Sequence, residues 1–184
     1  MGSGQTMLTV LAMVLLSFLM LRVNNLNLNT TTTLNTTKFE VLAFSLAESM
    51  IQEISANAFD QQTVSAVVSS PSSLTTTLGP ESGETFATYN DIDDFDNYAR
   101  TDTVPEKSGV VFNIRCTVDY VNSTTPDVPT ATKTWNKLIT VYVTSPFMIK
   151  NALTNQYYTK VNSTTKILQD TLKLSQVFSY WNFK

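Results

Sequence analysis

The chain has 184 residues and a net charge of −3, with 12 Lys+Arg against 15 Asp+Glu and no histidine. Lack of histidine removes the commonest general base and transition-metal ligand, and the single Cys116 closes no intrachain disulfide, zinc set or Cys–His dyad. Five glycines form no phosphate loop and the scattered basic residues form no nucleic-acid footprint. The expectation is a protein that is not an enzyme, takes no cofactor, and binds neither nucleic acid nor a small-molecule substrate.

The first predicted element is an apolar helix. Met7 to Leu21 reads MLTVLAMVLLSFLML, without a charge and with only Thr9 and Ser17 interrupting. Its apolar positions are Met7, Leu8, Val10, Leu11, Met13, Val14, Leu15, Leu16, Phe18, Leu19 and Leu21. They leave no polar face, so the helix must be covered all round. Extended from Gly4 to Val23 it reaches about 30 Å, the thickness of a hydrocarbon core. A cleaved signal peptide fits poorly, because MGSGQ carries no Lys or Arg and no small-x-small site follows Leu21. Residues 1–23 are therefore expected to be a retained assembly or membrane helix. Its alternatives are a plain single-pass anchor and a helix that moves from the membrane into a bundle of its own copies.

Residues 24–37, NNLNLNTTTTLNTT, are poor helix formers and are expected to be a non-helical linker. Residues 38–184 form the expected head. Thr37-Lys38-Phe39-Glu40 matches a capping box. Phe39, Leu42, Ala43, Leu46, Ala47, Met50, Ile51, Ile54 and Ala58 then recur at helical spacing, predicting an amphipathic helix to about Phe59-Asp60 that packs on a sheet. Val64 to Tyr98 reads as loop. From Gly109 the period becomes two, with Val110, Phe112, Ile114, Cys116, Val118 and Tyr120 on the buried side of a strand. A loop over Asn122–Lys133 leads to a second strand, Trp135–Thr144, ended by Pro146. A further hairpin about Thr154-Asn155 and a last strand over Leu172–Trp181 complete an α+β order with helix and antiparallel strands segregated.

Asp91, Asp93, Asp94 and Asp96 offer the oxygens Ca²⁺ prefers, but Phe95 at the fifth position and the missing sixth-position Gly depart from the EF-hand loop. The expectation is a solvated loop whose Asp side chains cap turns, with no metal. Asn29, Asn35, Asn122 and Asn162 begin N-x-Ser/Thr sequons, and Asn122 and Asn162 fall in predicted loops suited to glycosylation. Tyr157, Tyr158, Tyr180 and Trp181 are expected to pack on the sheet rather than to serve subunit contact or electron relay.

With these elements in order, the sequence resembles the type IV pilin and pseudopilin superfamily. GQTMLTVLAMVLLSFLML is similar to the pilin N-terminus, with Gly4-Gln5 at the place of the prepilin peptidase cut. NDIDDFDNY and KLITVYVTSP are similar to segments of minor pilins, including those of mannose-sensitive haemagglutinin pili. Thr9 stands at the fifth mature position, where the family usually carries glutamate. The resemblance implies a pilin-like fold and possible processing at Gly4-Gln5. It also implies a structural subunit of an extracellular filament, reached through the cytoplasmic membrane and built as a helical homopolymer by bundling of N-terminal helices. The alternatives it leaves are a membrane-anchored monomeric adhesin and a secretion-system pseudopilin.

Overall fold

A computed structural model describes residues 2–103, 109–149, 159–161, 164–166 and 169–181. The chain divides into two compact units, Met1–Phe39 and Glu40–Lys184. Helix α1, Ser3–Ser55, supplies all the described secondary structure of the first unit and the opening element of the second.

The expected linker at 24–37 is helical throughout. Its Asn and Thr residues each cost several tenths of a kcal/mol relative to Ala. Interrupting the helix would orphan four donors and four acceptors and require a second unfavourable nucleus. No Pro or Gly lies in the stretch. Thr30 adapts by donating its hydroxyl to the Leu26 carbonyl, 2.9 Å away. Continuation is the cheaper course, and the capping box at Thr37–Glu40 starts no new helix. At the other end α1 stops at Ser55, four residues before the expected Phe59, where the Asn57 amide donates to the Glu53 carbonyl at 3.0 Å.

Within the second unit, Ala43, Ala47, Met50, Ile51 and Ile54 of α1 are buried, as their spacing predicts, whereas Leu42 is exposed. Glu53 on this helix pairs with Arg100 at 3.4 Å. Asp60 caps a short helix, α2 (Gln61–Ser65), and 3₁₀ turns follow at Pro71–Ser73, Phe86–Thr88 and Asp93–Phe95. The strands are β1 (Ala99–Thr103), β2 (Val111–Asn122), β3 (Thr125–Pro129), β4 (Asn136–Ile149), β5 (Thr159–Val161), β6 (Thr164–Lys166) and β7 (Gln169–Ser179). The main sheet runs β1-β2-β4-β7, antiparallel throughout, with β3 folded back on β2; β5 and β6 pair separately.

The period-two reading of β2 holds: Phe112, Ile114, Cys116 and Val118 are buried between more exposed neighbours. Across the ladder, Ile114, Cys116 and Val118 face Val143, Val141 and Ile139, all buried. Each such side chain stabilises the fold by about 1.5–3 kcal/mol. Cys116 is a free thiol whose pKa burial pushes up to about 12, so it behaves as a small apolar residue.

Three expectations are corrected here. Part of the loop over Asn122–Lys133 is strand β3, while β1 falls just after the Val64–Tyr98 loop, where no element was expected. Pro146 does not end β4; pairing with β7 shifts between Thr144 and Ile149, and Pro146 occupies that irregular stretch, where no ladder N–H is required. Trp181 is exposed rather than packed, although Tyr180 stacks on Trp135 at 5.2 Å. The hairpin about Thr154-Asn155, Asn162, Tyr157 and Tyr158 lie outside the described residues.

Candidate functional site

In the first unit, the 26 residues Ser3–Leu28 are long and apolar enough to cross a membrane, and none of that stretch is covered by the rest of the chain. At 1.5 Å per residue they reach about 39 Å, more than the ~30 Å of a hydrocarbon core. Every apolar position of the assembly helix named above, from Met7 to Leu21, is exposed. The few hydroxyls are satisfied locally. Thr6 donates to the Ser3 carbonyl at 2.9 Å, Thr9 to that of Thr6 at 2.8 Å, and Ser17 to that of Met13 at 2.8 Å. A helix with its polar groups closed on itself and its apolar groups open is suited to lipid or to other apolar helices. Gly4 and Gln5 lie in its first turn, where the Gln5 amide donates to the Gly2 carbonyl at 2.9 Å.

Exposed apolar side chains continue past this stretch. Leu34 is exposed in the first unit, and Val41 and Phe44 are exposed on the part of α1 in the second. The sequence reading followed only the inward stripe of this helix and so passed over them. Val41 and Phe44, which fall off the inward stripe, were the available signal.

The second unit holds a buried ionic cluster. Lys137, at the start of β4, is fully buried and spends all three donors: on the Phe59 carbonyl at 2.7 Å, Asp60 Oδ2 at 3.1 Å and Asp93 Oδ1 at 2.6 Å. Its Nζ also lies 4.7 Å from the Phe59 ring centroid and 5.2 Å from that of Tyr120. Asp60 further accepts from the Gln62 and Thr75 amides and the Thr75 and Tyr120 hydroxyls. Burial alone raises its pKa, but Lys137 and the two amides outweigh burial and hold it below its ordinary value. A parallel bridge brings these segments together: the Ala58 amide donates to the Asn90 carbonyl at 3.1 Å and the Ile92 amide to that of Ala58 at 2.9 Å.

The four aspartates predicted as a solvated loop are thus corrected. Asp91, Asp93 and Asp94 are buried, and among the described residues these three do not make up a group close enough to hold one ion. Asp93 serves Lys137. Asp96, partly exposed, accepts from the Val118 amide at 3.0 Å. Asp91 Oδ1 accepts from the Asp94 amide at 3.1 Å, while Asp94 Oδ2 takes the Asn90 and Asp91 amides at 2.8 and 3.2 Å. Turn capping is therefore present, but in a dry setting. Lys137 carried the missed signal: it falls on the same strand parity as Ile139, Val141 and Val143, so a lysine on an inward face demanded buried carboxylates.

Burial, with Asp93 and Asp94 nearby, pushes the Asp91 carboxyl up to about 8 from 3.8. A carboxyl with a raised folded pKa holds its proton more tightly when folded. Its contribution to stability is full below about 4 and is lost as pH rises toward 8. Asp60 acts oppositely, contributing above its ordinary 3.8 and losing that contribution in stronger acid. In chelator, the melting temperature should therefore be higher near pH ~5 than near pH ~8.5. Asp91→Asn should flatten this slope. An unchanged slope in that variant, followed by circular dichroism, would count against a neutral Asp91.

Of the sequon asparagines, Asn122 is exposed at the end of β2. Comparison of the chain with protein-family models, with curated proteins and with solved structures gave no match. The residues themselves therefore carry the functional argument.

Proposed function

We propose that this chain is the structural subunit of a pilus-like extracellular filament of pilin-like fold. It enters the cytoplasmic membrane by its N-terminal helix and then polymerises by bundling that helix with other copies. The observation that carries the reading is the uncovered apolar helix Ser3–Leu28. Its apolar residues point to every side, so one partner surface cannot satisfy them, whereas a ring of identical helices or a lipid sheath can. Exposed Leu34, Val41 and Phe44 extend the demand for cover beyond the length a bilayer needs. The α+β order, with a helix leading into an antiparallel sheet, suits a subunit that keeps a folded head outside a helical core.

Ser3–Leu28 is also long enough for a single-pass anchor, which keeps the monomeric adhesin as the second reading. Secretion-system pseudopilins would share the assembly mode and differ in filament length. Removing residues 1–28 and measuring particle size separates assembly by the helix from assembly by the head.

A further inference from the structure

We infer that Glu81, Glu84 and Asp94 form a divalent-cation site, sharing only Asp94 with the aspartate quartet of the sequence, and that the ion it takes is Ca²⁺. One ligand oxygen from each of the three carboxylates lies within 4.8 Å of the others. Two oxygens on opposite sides of a Ca²⁺ ion stand about 4.8 Å apart, twice a ~2.4 Å coordination distance. Three oxygens no further apart than that can reach one shared ion.

A second observation points the same way. Asp94 is fully buried, yet its Oδ1 has no hydrogen-bond partner, while Oδ2 is occupied by two backbone amides. Glu81 Oε2 and Asn90 Oδ1 are likewise buried atoms without partners. Orphaned buried oxygens cost about 1–3 kcal/mol each, more when charged, unless something polar meets them. Among the described residues, no lysine or arginine forms an ion pair with Glu81, Glu84 or Asp94.

The local chain is arranged around this point. Gly83 adopts φ +94°, a left-handed conformation that favours glycine, and closes the turn in which the Glu84 amide donates to the Glu81 carbonyl at 3.0 Å. The Glu81 backbone amide returns a bond to Glu84 Oε2 at 3.1 Å, and the Asn90 side-chain Nδ2 donates to Glu84 Oε1 at 3.0 Å. The donors are all oxygen and sit in irregular backbone, which suits Ca²⁺ better than Mg²⁺ with its strict octahedron and retained waters. The ion fastens the Glu81–Glu84 turn to Asp94, and so braces the loop that delivers Asp93 to Lys137.

The test uses the full-length chain in detergent, stripped with chelator and titrated with CaCl₂ by calorimetry. One ion per chain is expected, with a rise in melting temperature of about 5–10 °C at ~100-fold excess over Kd. MgCl₂ at the same concentration should give less than half that shift. Glu81→Gln with Glu84→Gln should abolish the shift and weaken binding at least tenfold, while the melting temperature in chelator is unchanged or higher. A structural role alone would lower it. As a check that alters no ligand, Tb³⁺ should show tyrosine-sensitised emission that Ca²⁺ displaces. Absence of stoichiometric binding, Tb³⁺ emission that Ca²⁺ leaves unchanged, an equal response to Mg²⁺, or binding that survives the double substitution would overturn the assignment.

Discussion

Lys137→Met is expected to destabilise the head by about 3–5 kcal/mol, because it leaves buried carboxylates without their cation. The side chain is fully buried, and Asp60 and Asp93 are 0% and 1% exposed, so water cannot replace the lost ammonium. At about 2–4 °C per kcal/mol for a chain of this size, the melting temperature should fall by about 6–20 °C. Asp60 retains the Gln62 and Thr75 amides and the Tyr120 hydroxyl, whereas Asp93 Oδ2 has no partner to fall back on. Combining Lys137→Met with Asp60→Asn and Asp93→Asn should recover much of the loss, since replacing a whole buried ionic group is often close to neutral. Denaturant unfolding checks both. A loss below about 1 kcal/mol in the single variant would mean that the cluster is wet or that its carboxylates are neutral.

Removal of residues 1–28 should have the largest effect of all, turning an assembling or membrane-bound protein into a soluble monomer. Eleven apolar side chains between Met7 and Leu21 were assigned to assembly, and all are exposed. At about 1.5–3 kcal/mol each, covering them is worth on the order of 15–30 kcal/mol relative to water, far more than association costs. Relative to lipid the gain is much smaller and comes from packing, so the bilayer is a workable waiting place. The shortened chain keeps the complete second unit, Glu40–Lys184, and its buried core. Light scattering should report one mass across concentrations. Continued assembly of the shortened chain would place the polymerising surface on the head instead.

Much of the head was legible in the sequence because its signals are periodic. Ala43, Ala47, Met50, Ile51 and Ile54 announce one helix face, and Phe112, Ile114, Cys116 and Val118 one strand face. What was not legible depends on contacts distant in sequence or on competition between local terms. Asp93 and Lys137 are 44 residues apart, so an acidic stretch that looks solvated is dry only because a lysine from β4 meets it. The Glu81–Glu84 turn meets Asp94 by the same kind of closure. At 24–37, summed propensity favours a break, but breaking an established helix costs its backbone bonds and a new nucleus, which composition does not register. The apolar helix was the reverse case: its sequence announced exposure to something other than water, and only the identity of the cover is left to assembly.

That cover is tested most directly by electron microscopy of the full-length protein as detergent is withdrawn in the absence of lipid. The account predicts fibres of uniform width whose core is made of packed Ser3–Leu28 helices, with the sheet-bearing heads outside. Disordered aggregates in place of fibres, together with single subunits when lipid is supplied, would contradict it and favour an anchored monomer.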